Sequence, residues 1–375
     1  MRIQVGICGT GEFADYFIPL FKVHPQVSRV VLCDLDKKKL QDKAEKFGIS
    51  ETCPSLDELC QSDVDAIFII TQHHLHGPQA VQALKSGKHV YSAVPPAISM
   101  DEIKMLVKTV EQTGKIYMLG ETSYYYPCTI YCRERFNKGD FGHIVYGEAE
   151  YYHDYSHGLY DVLKHRHGSD WERYANWPPF FYPTHSVSMI TSVTGAYATG
   201  ACGMGIVDNH PDGLFNRKGS FWNNNFSNEA MLCRMSDGSV ARFNEFRRIG
   251  HPGTVRMSLH GTEAGYEEQH EGKMWVTKDT KSCIDLRTEL DCLEVSKIHP
   301  VHRLPKEFLG LESGHCGSHH FLVDDFVKSC VSGAQPPINI YQAARYVIPG
   351  LIGHESAMQG GVLLDVPDFG DKFTD

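Results

Sequence analysis

Apolar runs recur along the first 120 residues at helix-length intervals: IQVGIC (3–8), VVLCD (30–34), AIFIIT (66–71), HVYSAV (89–94) and IYMLGE (116–121). Runs without internal alternation suit strands buried on both faces, and the amphipathic stretches between them suit crossover helices. The pattern predicts a doubly wound parallel sheet, an α/β Rossmann arrangement. From about Gly142 the period changes to two. IVYGEAEYYHD (144–154), EAMLCRMSDGSVARFNEF (229–246) and TVRMSLHGTEAGYEE (254–268) predict an open antiparallel sheet, with a hairpin at MSDG and a turn punctuated by Gly261 and Gly265. A last helical stretch, 341–361, has the apolar spacing to pack back onto earlier structure. The expected division is a cofactor domain over 1–122 and an α+β substrate-binding and oligomerisation domain over 123–375.

The 375 residues are enough for two hydrophobic cores. With 42% apolar and 22% charged residues the chain has a soluble globular composition, which excludes a disordered or fibrous design. The net charge of -10 argues against a nucleic-acid partner, which needs a clustered basic surface, and leaves a small molecule as the expected ligand. No apolar run reaches the roughly 18 residues of a membrane span, and the N-terminus carries no secretory pattern. The 12 cysteines lack paired metal-site spacings, and Cys8 and Cys33 lie inside core strands, so they read as reduced core residues of a cytoplasmic protein. An open antiparallel face in the second domain points to a homo-oligomer.

The clearest motif is Gly9-Thr10-Gly11-Glu12-Phe13-Ala14, directly after the first strand and at the opening of a helix. The first glycine permits the tight turn, the second lets a pyrophosphate approach the backbone, and the small third residue permits close packing. Asp34 ends the second strand, where a carboxylate accepts from the adenosine ribose and repels a 2′-phosphate. NAD is therefore the expected cofactor, and Lys37, Lys38 and Lys39 read as a solvated helix face. Thr71, His73, His74 and His76 stand at the carboxyl end of another strand. Adjacent histidines without a neighbouring acid or cysteine argue against a metal, leaving cofactor contact and helix capping. Alternation through 144–155 places Tyr151 and His153 on one face, a phenol beside an imidazole and suited to proton transfer. Tyr182, extended before Pro183, and His185 three residues on stand together at the mouth of a helix that Gly195 ends. Each of these two pairs could equally be structural.

Taken together, the turn, Cys33-Asp34, Thr71 to His76, GTEAG (261–265) and GHESAMQGG (353–361) resemble the Gfo/Idh/MocA oxidoreductase family over essentially the whole chain. The family's acid-lysine-proline motif is replaced by Ala93-Val94-Pro95, and its aspartate before the histidine by Phe181. Those departures, with VPPA, GETSYYY, EYYHD and YPTHS, resemble the branch of NAD-dependent glycosidases typified by α-N-acetylgalactosaminidases. The resemblance implies catalytic roles for Glu121, Tyr151, His153, Tyr182 and His185, and cofactor contacts from Ala93, Val94 and Glu121 beside the turn. Substrate contacts are expected from His165 and Arg166 and, in the SGHCGSHH loop (313–320), from His315 and His319. The activity implied is hydrolysis of a glycoside by transient oxidation at C3, loss of the aglycone, addition of water and return of hydride. Two other readings stay open: a glycoside 3-dehydrogenase with net oxidation, and a non-catalytic NAD(H)-sensing protein.

Overall fold

The computed structural model describes residues 2–215, 218–292 and 295–372. They fall into two compact units: Met1–Pro127 with Asp291–Ala344 and Phe369–Asp375, and Cys128–Leu290 with Arg345–Asp368.

In the first unit the apolar runs become six parallel strands, β1 (Ile3–Cys8), β2 (Val27–Cys33), β3 (Thr52–Cys53), β4 (Ala66–Ile69), β5 (His89–Ser92) and β6 (Tyr117–Leu119), in the order β3-β2-β1-β4-β5-β6. The order reverses beside β1, the topological switch point at which open α/β sheets bind ligands. Parallel register aligns Cys8 with Cys33 and Ile69, Ile69 with Ser92, and Ser92 with Leu119. The loops that leave these strands therefore start on one edge. Their first amides extend the ladder: Gly9 N donates to Cys33 O, Ile70 N to Cys8 O, Ala93 N to Ile69 O and Gly120 N to Ser92 O.

Helices close both faces. Asp36 caps Lys37–Phe47 by accepting from the amides of Lys38 and Lys39, and Ser99 caps Met100–Thr113. The motif turn leads into a 3₁₀ turn, Glu12–Tyr16, before the short α-helix Ile18–Val23. Pro19, which has no N–H to offer, suits the first positions of a new helix and not the interior of a continuous one.

Where the sequence pattern suggests one crossing at 122/123, the chain returns to the first unit over 291–344. The reason is burial. Helix Ser318–Ser332 inters Phe321, Leu322, Val323 and Phe326, and Phe326 stacks on Tyr91, itself stacked on Phe68. Asp324 is anchored there by His24 and Lys328.

The second unit holds a nine-stranded sheet. Its strands are β7 (Ile144–Tyr152), β8 (Ala198–Val207), β9 (Phe226–Met235), β10 (Val240–Phe246), β11 (Thr254–Gly261), β12 (Ala264–Glu268), β13 (Lys273–Thr277), β14 (Ile284–Asp285) and β15 (Leu364–Asp365). Their order is β14-β13-β12-β11-β7-β10-β9-β8-β15, and the pairings are antiparallel except for β7 with β10. The MSDG turn joins β9 to β10, with Gly238 at φ 88°. Helix Thr184–Thr194 lies on the face that carries Gly147, whose missing Cβ leaves room for Ile190, and Gly195 ends it in the left-handed region.

One expectation is corrected. Cys292 and Cys316, half-buried rather than in the core, are joined in a disulfide with Cα atoms 4.4 Å apart, whereas the other ten cysteines are free.

Candidate active site

The strand edge of the first unit is built to receive a dinucleotide. Gly9 has φ 106°, and a Cβ there would lie 2.4 Å from Ile70 O, so the turn after β1 presses on the backbone after β4. Gly11 is the opposite case: a Cβ at this position would meet nothing within 4 Å. It opens the 3₁₀ turn, whose first amides have no side-chain cap from this position. Asp34, at the end of β2, accepts from Thr10 N and Thr10 Oγ1, both at 2.8 Å, and from Asp36 N at 2.9 Å. Part of its lone-pair capacity thus fixes the turn, and the remainder suits ribose hydroxyls. A cradle open at Gly11 and a carboxylate at the next strand end fit NAD. Glu12 is exposed beside them, Phe13 is half-buried, and Lys38 pairs with Asp42 along its own helix.

The remaining edge residues divide by orientation. Thr71, His73 and His74 are half-buried at the end of β4, and burial lowers the pKa of His74. His76 turns inward, 1% exposed, with Nδ1 2.9 Å from Pro95 O and Nε2 3.2 Å from Thr71 O. It therefore ties together the loops after β4 and β5. Ala93 is half-buried and Val94 buried, an aliphatic side chain where a lysine would supply a proton. Glu121 is fully buried and caps the 3₁₀ turn Thr122–Tyr125, with Oε1 accepting from Ser123 N and Oγ at 2.9 Å each. His315 is exposed at φ 49°, against Phe13. His319 departs from an accessible position. It is fully buried among Phe13, Tyr16 and Phe17, and burial first, then His315 and His320, pushes its pKa well below the usual histidine value.

In the second unit four ring side chains meet. Tyr151, at the end of β7, lies edge-on to His185 (centroids 5.2 Å) and 6.1 Å from Tyr182, and Tyr182 lies 5.3 Å from His185. Tyr151 Oη is 2.7 Å from His153 Nδ1, and His153 Nε2 is 3.3 Å from His157 O. A carbonyl oxygen can only accept, so Nε2 carries the hydrogen of the neutral ring and Nδ1 accepts from the phenol. Burial, then the Arg247 guanidinium, lowers the His153 pKa to about 4, which keeps the ring neutral near pH 7. His165 is exposed on helix Tyr160–His167. Arg166 is exposed by surface area, yet desolvation lowers its pKa while Tyr182 and Tyr151 oppose the shift. The influence of both phenols associates its charge with the cluster.

Three further residues escape the sequence pattern. The parallel register sets Glu245 of β10 opposite Tyr151. Glu245 is fully buried, accepts from Ser186 Oγ at 2.6 Å and pairs with Arg247 Nη2 at 3.1 Å. Burial, opposed by Arg247 and Ser186, raises its pKa to about 7. The neighbouring Glu229 of β9 is fixed by His354 and by the Phe180 amide. Among the described residues no group of three or more His, Cys, Asp or Glu side chains could hold a metal ion, and no helix is long and apolar enough to cross a membrane.

Residues 3–121 match the model of an oxidoreductase family with an NAD-binding Rossmann fold, and residues 249–373 match that of the glycosyl hydrolase 109 C-terminal domain. A glycosyl hydrolase family 109 protein of Streptomyces filamentosus is 25% identical over 392 residues, covering 98% of this chain and 77% of its own length. Another, from Solibacter usitatus, is 25% identical over 396 residues and covers 98% and 88%. Among solved structures, levoglucosan dehydrogenase in complex with NADH and levoglucosan superposes with a TM-score of 0.77 at 16% identity, covering 98% of this chain and 100% of that one. Myo-inositol 2-dehydrogenase from Lactobacillus plantarum gives 0.74 at 19%, covering 98% and 100%. These two likenesses establish the fold. The resemblance read from the motifs is met at both ends of the chain, and NAD is the cofactor of its first unit.

Proposed function

We propose, from the two family models that its ends match, that this chain is an NAD-dependent glycoside hydrolase with a redox-neutral cycle. Bound NAD supplies a two-electron acceptor that returns the same hydride within one turnover. Oxidation of the sugar at C3 gives a ketone and acidifies the hydrogen on C2; removal of that hydrogen expels the aglycone from C1, water adds, and reduction at C3 completes hydrolysis. The Tyr151–His153 hydrogen bond carries this reading. The acceptor nitrogen of a neutral imidazole fixes the direction of the Tyr151 hydroxyl, and Tyr151 Oη is assigned to the proton transfer at C2. Tyr182 and His185 are assigned to the C3 hydroxyl proton, since Val94 cannot supply a proton relay. Gly9 to Phe13, Asp34, Thr71, His73, His74, Ala93 and Glu121 are proposed to contact or frame the cofactor, while Arg166, His165 and His315 are proposed on the carbohydrate side.

The test is a panel of aryl glycosides in deuterated water without added cofactor. Aglycone release with deuterium at C2 and no accumulation of NADH is expected. A 3-keto glycoside that forms only with external NAD, its glycosidic bond intact, would overturn hydrolysis in favour of net oxidation.

A further inference from the structure

Arg247 occupies an unusual place beside the proton-transfer cluster. It follows β10, is buried, and donates through Nη2 to Glu245 and through Nη1 to the carbonyl oxygens of Phe246 (3.2 Å) and Tyr151 (3.4 Å). Its backbone amide donates to Asn228 Oδ1 at 2.8 Å. So held, its guanidinium carbon lies 4.8 Å from the centroid of the Tyr151 ring. A cation over an aromatic face is attracted to the neutral ring, and more strongly to a phenolate, whose negative charge spreads into that ring. We propose that Arg247 is the positioning residue that sets the acidity of Tyr151, with buried Glu245 holding the guanidinium over the phenol. Arg247 neither reaches the phenol oxygen nor receives the proton; it acts through Tyr151.

The charged and titratable groups around Tyr151 include His153 after its own strand, His185 in the first turn of the helix that covers it, and Tyr182 just before that helix. Arg166 comes from helix Tyr160–His167, and Glu245 and Arg247 from β10 and its extension. Arg247 and Arg166 favour the phenolate, and ionised Glu245 opposes it. The carboxylate is itself neutralised by Arg247 and bonded to Ser186, so the pair is a placed cation with a local counter-ion.

The proposal rests on the glycoside reading only for the use made of the Tyr151 proton, because ionisation can be followed without substrate. The full-length protein is labelled with ¹³C at the tyrosine ring carbon bearing oxygen, and the Tyr151 resonance is assigned by its loss in Tyr151→Phe. In Arg247→Gln this resonance should titrate about one pH unit higher than in the parent, a tenfold loss of acidity. Arg247→Lys, which keeps the charge, should return it to within about half a unit. Glu245→Gln/Arg247→Gln, which leaves no uncompensated buried charge, guards against a failure to fold and should shift the resonance upward too, by less than Arg247→Gln because the opposing carboxylate is removed with the cation. Titration of Tyr151 at the parent pH in either glutamine variant, or Arg247→Lys behaving like Arg247→Gln, overturns the proposal. A parent protein that cleaves no glycoside but shows these shifts sinks the hydrolase reading and leaves this one standing.

Discussion

At the scale of single residues, His153 and Glu245 carry opposite pH dependences over the same range. Folding lowers the pKa of His153 from 6.5 to about 4, so the unfolded chain takes up that proton first and stability is lost as pH falls from 6.5 toward 4. Folding raises that of Glu245 from 4.5 to about 7, so the folded chain takes up that proton first and stability is gained as pH falls from 7 toward 4.5. Between about pH 6.5 and 4.5 the two nearly cancel. Glu245→Gln should therefore lose stability relative to the parent as pH falls through that window, and His153→Gln should gain it, each by on the order of 2 kcal/mol. Urea midpoints at a series of pH values measure both slopes. Parallel curves for parent and variants would show that these groups do not titrate as their burial demands.

At the scale of elements, the turn after β1 separates two uses of glycine. Gly9→Ala places a methyl carbon against Ile70 O in a left-handed backbone, so it should lower stability by about 1–3 kcal/mol and weaken NAD binding as well. Gly11→Ala meets nothing and has φ -64°, so the variant should melt with the parent yet bind NAD at least about tenfold more weakly, its methyl standing where the pyrophosphate approaches. Thermal melts paired with NAD titration decide it; unchanged affinity in Gly11→Ala would move the pyrophosphate elsewhere. This turn was legible in the sequence because strand, glycines and Asp34 are local signals. Tyr151 with His153, and Tyr182 with His185, were legible for the same reason: two-residue alternation and a helix start placed them. Arg247 and Glu245 were not, because they meet Tyr151 through a parallel pairing of strands far apart in the chain, and alternation says nothing of partner or direction. The inward turn of His76 and the pairing of Cys292 with Cys316 likewise depend on loops brought together by tertiary structure.

At the scale of the whole molecule, the first unit is completed by chain that follows β14 of the second unit. Phe326 and Phe321 fill a core begun by Phe21, Phe68 and Tyr91, and Arg303 joins Asp325 to Tyr125. A fragment ending at Pro127 should expose Phe21, Phe68 and Tyr91, bind a hydrophobic dye and fail to melt cooperatively, whereas the full chain should do neither of the first two and should melt sharply. A fragment that folds as tightly as the full chain would show helix Ser318–Ser332 to be dispensable. The return of residues 291–344 also orders events on the ribosome. A nascent chain carries its dinucleotide-binding half unfinished through the synthesis of eight of the second sheet's nine strands, β7 to β14, so the earlier-made segment is among the last to become protease-resistant.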